Sequence, residues 1–388
     1  MIARILPVLL FLLLIPLGII DICWLRKQEK QSVRRLVWIL NIIVCIALII
    51  LSISESFSTT ADLVKQIVMS ISICLIVPQT VMALFAGIGH FIKNSRWHRI
   101  LKYFAIFLSI VCLSSVIYGL TIGPAHIQTR TIEYRQATIP PKFSNYKIVL
   151  FSDLHTGSFR HRTNIIEKIV QRINEQKADL VVFTGDIINY REKEIEPFSH
   201  LLQSIRAKDG VIAVLGNHDY LGYYNFESDA LREAEFKLLK ERIRSWGWTL
   251  LLNESKTIVR DSDSIAIIGL ENTGNRPNFP KYAHIDKARK DINPSTFQIL
   301  LEHDPSYWSD SIVSLTNIPL TLSGHTHAMQ LQIGPWSPAK WFYPEWAGLY
   351  TSKSGQTLYV TPGVGEVFLP FRLGAWPELD VILLNPSD

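Results

Sequence analysis

Four apolar stretches in the first third limit what this chain can fold into: residues 6–22, 36–53, 67–92 and 100–122. Each approaches or exceeds the ~18–20 residues that an α-helix needs to cross the hydrocarbon core of a bilayer. Apolar residues surround each predicted helix and do not form one stripe, a pattern that suits lipid on all sides better than a bundle in water. Arg4 ahead of an apolar run also fits a cleaved leader. Three further stretches follow it, however, and no small-residue cleavage site is clear, so the first stretch is read as a membrane helix like the others.

The charge balance changes where these stretches end. Up to residue 122 there are 11 Lys and Arg against 4 Asp and Glu; beyond it there are 28 against 30. The later part therefore lacks the basic excess that phosphate-backbone binding requires, and nucleic acid is not expected as a specific partner. Arg26, Lys27, Lys30, Arg34 and Arg35, against Glu29, separate spans one and two, and Lys93, Arg96, Arg99 and Lys102 separate spans three and four. The loop between spans two and three holds Glu55, Asp62 and Lys65. Basic loops stay in the cytoplasm, so the N-terminus and everything after span four are expected outside it. The central portions of the spans carry no Asp, Glu, Lys or Arg, which disfavours an ion or substrate path and favours an anchor. Asn41, Gln79, His90 and Pro78 are read as helix-packing positions. All four cysteines, Cys23, Cys45, Cys74 and Cys112, lie in or beside these spans, which leaves the rest with no disulfide framework and no thiolate ligands.

Residues 1–122 are thus expected to be a four-helix membrane anchor and 123–388 a separate α/β domain. In the domain, predicted strands at 131–137, 147–151, 180–183 and 211–215 alternate with helices at 164–174, 198–205 and 230–246. A hairpin over 257–259 and 264–268, turning at Asp261-Ser262-Asp263, is followed by strands at 297–301, 320–322, 357–360 and 381–384. This order predicts two sheets packed together with helices outside. Five strand ends carry side chains able to bind metal or move protons. They are Asp153-Leu154-His155, Gly185-Asp186, Gly216-Asn217-His218-Asp219, His303 and Gly324-His325-Thr326-His327. Asp153, Asp186, Asn217, His155, His303, His325 and His327 offer only oxygen and imidazole nitrogen, a set suited to Mn, Fe or Zn. Seven donors exceed one four-coordinate site and fit two divalent metal ions sharing a carboxylate.

In order and spacing these motifs resemble the signature of the calcineurin-like metallophosphoesterases over about residues 130–388. The tail, with Gly363, Gly365, Leu369-Pro370, Arg372 and Pro377-Glu378, is similar to a bacterial membrane-associated branch of phosphodiesterases in that family. The resemblance implies a four-layer αββα sandwich that hydrolyses a phosphomonoester, phosphodiester or pyrophosphate. It assigns Asp153, His155 and His327 to one metal, Asn217, His303 and His325 to the second, and Asp186 to both. His218 is then the proton donor to the leaving oxygen or the stabiliser of transition-state charge. Asp219 either orients that imidazole or caps the turn. The sequence departs from the branch in having Ala328-Met329 where two glycines are usual, and Glu271 where Asp is expected. Trp336, Trp341, Phe342, Tyr343, Trp346 and Tyr350 crowd one proline-rich stretch, which either folds on its own aromatics or meets membrane lipids at the interface. With the short linker after Ile122, it points to a lipid or lipid-linked sugar substrate, such as a UDP-diacylglucosamine-type molecule, at the outer face of a bacterial inner membrane. The rival reading is a non-catalytic membrane receptor or scaffold that uses the metal-binding domain as a binding module. A degenerate copy of that kind should have lost ligands, and none is missing.

Overall fold

The apolar stretches form helices that run past the predicted ends: α1 (Ile2–Cys23), α2 (Gln31–Ile53), α3 (Thr59–His90) and α4 (Ser95–Thr121). All four are long and apolar enough to cross a membrane. The structure, a computed structural model, describes residues 2–27, 31–53, 59–274 and 281–387. Glu29, Lys30 and Glu55 of the loop-charge argument lie outside the described residues. The chain divides into two units, Met1–Ile122 with Phe368–Leu373, and Gly123–Val367 with Gly374–Asp388. The sequence reading leaves Phe368–Leu373 with the later domain, whereas the segment groups with the helices.

In the helical unit the polar positions serve packing. Gln79 Nε2 donates to Asn41 Oδ1 at 3.2 Å between α3 and α2, and both side chains are buried. Ser109 Oγ on α4 donates to the carbonyl of Pro78 at 3.0 Å. Phe368 and Leu369 pack on the cluster of Leu13, Val44, Leu48 and Met69, and Arg372 N donates to Gly119 O at 2.9 Å.

The second unit holds two six-stranded sheets. The first contains β1 (Gln128–Arg135), β2 (Tyr146–Phe151), β3 (Leu180–Phe183), β4 (Val211–Ala213) and β5 (Thr249–Leu250). The second contains β6 (Glu254–Arg260), β7 (Asp263–Gly269), β8 (Phe297–Leu301), β9 (Leu320–Ser323), β10 (Gly348–Thr351) and β11 (Thr357–Val360). The last strand, β12 (Glu378–Asn385), returns to the first sheet. The orders are β1-β12-β2-β3-β4-β5 and β10-β11-β9-β8-β7-β6. β2 to β5 are mutually parallel, as are β7, β8, β9 and β11; β12 runs antiparallel to β2, while β6 and β10 are antiparallel edges.

Alternation along the strands sorts their side chains into layers. Ile148, Leu150, Leu180, Val182, Ile265, Ile267, Ile299, Leu301 and Leu322 meet in one core between the sheets. Val149, Phe151, Val181 and Phe183 face the other way, onto α5 (Thr163–Glu175), α6 (Ser199–Gln203) and α7 (Asp229–Ser245). Ile268, Leu300 and Leu358 cover the outer side of the second sheet with α8 (Ile285–Arg289) and Trp308. The result is the α/β fold expected, in four layers ordered helices, sheet, sheet, helices. Both strand blocks that carry the site are parallel, so their C-terminal ends deliver side chains to one edge, where open α/β sheets gather ligands.

Candidate metal centre

Every side chain singled out from the motifs comes from a loop that leaves one of five parallel strands. Asp153 and His155 follow β2, Asp186 follows β3, Asn217, His218 and Asp219 follow β4, His303 follows β8, and His325 and His327 follow β9. The loops are laced to each other. Asp153 N donates to Gly185 O at 2.9 Å, His155 N to Asp186 O at 3.1 Å, and Gly324 N to His303 O at 3.1 Å. The backbone turns sharply there. Asp153, His155, Asp186, His325 and His327 have φ of 57°, 47°, 60°, 74° and 49°, the left-handed region that L-residues avoid. The turns admit little bulk, and a Cβ on Gly216 would collide with Asp186 Oδ1.

The departure at Ala328-Met329 has a physical meaning. Ala328 and Met329 have φ of 48° and 45°, conformations that glycine adopts without a Cβ penalty. The turn after His327 therefore keeps the shape that glycines allow while bearing side chains, at roughly 1–2 kcal/mol per residue.

Hydrogen bonds fix which atoms face inward. His303 Nδ1 lies 2.7 Å from the carbonyl of Thr184, and a carbonyl only accepts, so Nδ1 carries the proton. His303 Nε2 then faces Asp186 Oδ2, Asn217 Oδ1 and His325 Nδ1, each at 3.2 Å. The amide of Asn217 is oriented by Nδ2 donating to Tyr223 Oη at 2.8 Å, which turns Oδ1 inward. His155 Nδ1 donates to Ile188 O at 3.2 Å, leaving Nε2 to face His327 Nε2 at 3.1 Å and Asp186 Oδ2 at 3.6 Å. His327 Nε2 lies 3.2 Å from Asp153 Oδ1. Acceptor atoms thus crowd together, and the crowding calls for positive charge between them.

The electrostatics agree. Burial and the Asp186 charge push Asp153 up to about 6, although His303 opposes them. Asp186 is held well below the usual carboxylate range: burial opposes this, but His303, His218 and His155 outweigh it. Burial lowers His155 to about 3 and His325 to about 4, so both present lone pairs at neutral pH. Burial would also lower His303, but Asp186 and Asp153 raise it to about 10. A proton on His303 thus supplies the charge that a cation would otherwise bring. Three groups of residues bring ligand atoms within 4.8 Å of one another: Asp153, His155 and His327; Asp186, His303 and His325; and His155, Asp186 and His218. The donor chemistry and the crowding of acceptors fit divalent cations.

Asp219 does not orient His218. Its two oxygens accept from the backbone N–H of Asp186 (2.8 Å), Ile187 (2.9 Å), Ile188 (3.3 Å) and Gly216 (2.9 Å), binding the loops after β3 and β4 together. The imidazole is held instead by Asn189 O, 2.8 Å from His218 Nδ1, and by Tyr223, stacked on it at 4.1 Å. Tyr223 and Tyr343 are site residues that sequence reasoning missed. Tyr343 Oη sits 2.7 Å from His325 Nε2, and its ring packs with Trp346, Ala328 and Ala339. The aromatic stretch is therefore part core and part surface.

Two mixed sheets with outer helices, and an aspartate–histidine–asparagine cluster at their C-terminal edge, define a metal-dependent hydrolase of the α/β class. Residues 146–329 match the calcineurin-like phosphoesterase family. The chain is 31% identical over 282 residues to the uncharacterized metallophosphoesterase YkuE of Bacillus subtilis, covering 70% of this chain and 90% of that one. It is 28% identical to a transmembrane protein with metallophosphoesterase domain from Danio rerio, covering 72% of this chain and 62% of that protein. Among solved structures, phosphopantetheinyl hydrolase from Mycobacterium tuberculosis aligns with a TM-score of 0.37 and 14% identity, over 57% of this chain and 90% of that one. The chain belongs to the calcineurin-like metallophosphoesterases, hydrolases of phosphoesters that bind divalent metals.

The amide contacts of Asp219 lead to a prediction. Asp219→Asn keeps the size but turns an NH₂ group toward two of the four N–H donors, and leaving a buried donor unmet costs about 1–3 kcal/mol. Thermal unfolding of the purified protein should occur several degrees lower, with metal content reduced. An unchanged Tm would show that the four amides do not depend on this carboxylate.

Proposed function

We propose that the protein is a membrane-tethered dimetal phosphoesterase acting on the phosphoester of a lipid or lipid-linked sugar. The convergence of Asp186 Oδ2 with His303 Nε2 at 3.2 Å and His155 Nε2 at 3.6 Å carries this reading. One carboxylate oxygen reaches toward both halves of the cluster, as a bridging ligand must. In this reading Asp153, His155 and His327 would hold one cation, Asn217, His303 and His325 would hold the other, and Asp186 would serve both. Mn, Fe and Zn suit these donors. Such cations supply Lewis acidity, acidifying water and neutralising phosphoryl charge. The neutral imidazoles of His155 and His325 need lose no proton to bind them.

His218 acts on the substrate. With its Nδ1 proton committed to Asn189 O, it exchanges protons at Nε2, where it donates to the leaving oxygen or meets the charge of the transition state. Tyr223 holds the ring flat against itself, and Asp219 acts only by positioning the loops. In this reading the four apolar helices hold the chemistry at a bilayer, and the basic loops support a position of the domain outside the cytoplasm, in bacteria at the outer face of the inner membrane. That location, with the aromatic stretch beside His325, supports a substrate carried by lipid.

Three outcomes follow. Asp186→Ala should lose both metals, whereas His218→Ala should keep them and lower turnover by about 10²–10⁴-fold. Elemental analysis with a phosphodiester assay separates the two, and full occupancy in Asp186→Ala would remove the bridging role. A lipid phosphoester should show a clearly higher kcat/KM than its water-soluble headgroup analogue; equal values would leave a generic phosphoesterase on an anchor. A reporter fused after Asp388 should work only if it is one that requires export, and an active cytoplasm-only reporter would reverse the orientation.

A further inference from the structure

Among the described residues, both exposed tryptophans of the second unit, Trp336 and Trp341, lie in one stretch and pack edge to face at 5.5 Å. Ile333, Trp341 and Phe342 are 63%, 71% and 57% exposed, while Tyr343 and Trp346 turn inward at 7% and 8%. Ser337 Oγ donates to Ala328 O, and Thr326 Oγ1 donates to Trp346 O at 2.5 Å. The stretch is thereby pinned to the turn that carries His325 and His327. Tyr343 follows Phe342 directly and reaches His325 Nε2 at 2.7 Å, so one peptide bond separates the exposed aromatic edge from the metal centre. From Met329 to Pro344 there is no acidic residue, and Lys340 is the one charge.

Soluble surfaces rarely gather such side chains without a partner. The chain itself points to one kind of partner, because its four apolar helices are long and apolar enough to cross a bilayer, and β1 begins soon after the last of them. Indole rings favour the headgroup level of a membrane, and a lysine beside them is drawn to anionic headgroups.

We propose that Ile333, Trp336, Trp341 and Phe342 form a bilayer-contacting edge that brings a membrane-held phosphoester to the metal centre. The edge deepens the lipid-substrate reading and rests on it for the substrate; the membrane contact itself does not. Lys340 lies toward anionic headgroups, and the aromatic rings sit among the upper acyl chains. Tyr343, on the inner side of the edge, marks the passage from lipid to His325.

The test uses the full-length protein, one copy per nanodisc, in anionic lipid that is either plain or brominated high on its acyl chains. Wild type is compared with Trp336→Phe/Trp341→Phe, a pair of exposed, conservative changes that leave the fold alone. The difference in emission between the two proteins reports those two tryptophans only. That emission should be largely lost in brominated lipid. Equal emission in plain and brominated discs overturns the proposal. So does emission that is unquenched in single-copy discs but shifts to the blue as protein concentration rises in detergent, because that outcome assigns the edge to a second copy of the chain. The measurement needs no substrate. Quenching without a lipid preference keeps the edge and removes the lipid substrate, and lipid preference without quenching does the reverse.

Discussion

Two carboxylates taken out of water set the terms for the rest of this domain. Asp153 and Asp186 are almost wholly buried, and an unbalanced buried ion costs several kcal/mol even after relaxation. The loops around them are built to meet that charge. His325 N donates to Asp153 at 3.0 Å and His218 N donates to Asp186 at 2.8 Å. Bringing those amides round requires five residues in left-handed backbone, at roughly 1–2 kcal/mol each. A strain of that size approaches the net stability of a whole domain, about 5–15 kcal/mol, so the surroundings must hold it. Asp219 does so from behind with four amide contacts, and the glycines at 185, 216 and 324 clear the space.

The same charge explains why the site was legible in the sequence. Few residue types bind metal, and they stood at five strand ends whose apolar runs were clear, so Leu180–Phe183 and Phe297–Leu301 fall where the pattern put them. What failed was less patterned. Val214 and Leu215 continue the apolar run of β4 but leave the strand, because the chain must bend there to reach Gly216. Thr249–Leu250 is too short, and Gly348–Thr351 too exposed, to show a period. Tyr223 and Tyr343 act through a hydroxyl and a ring face, for which no spacing rule exists. The role of Asp219 turned on which way a carboxylate points, which sequence does not encode. The aromatic pattern left open whether the stretch folds on itself or faces lipid, and Trp346 takes the first course, in a small core with Ala328, Ala339, Tyr343 and Ala375.

The helical unit shows the complementary economy. Among the described residues its buried polar side chains are few: Gln79 meets Asn41, Ser109 meets the carbonyl of Pro78, and Asp21 is met by Arg26 and Arg34. Such bonds hold apolar helices in one arrangement where lipid offers no competing donor. They leave the chemistry to the other unit, whose electrostatics depend on loops and not on spans.

The strand order also has a consequence for how the protein is made. β12 lies between β1 and β2, although it is later in the chain than every other strand of its sheet. Until residues 378–385 have left the ribosome, β1 has no neighbour and β2, the strand leading to Asp153, keeps an open edge. The sheet therefore cannot be finished during synthesis in the order its parts appear. The four apolar helices are made long before it, so the sheet that leads to Asp153 stays unsealed until its last strand in chain order, β12, has been made.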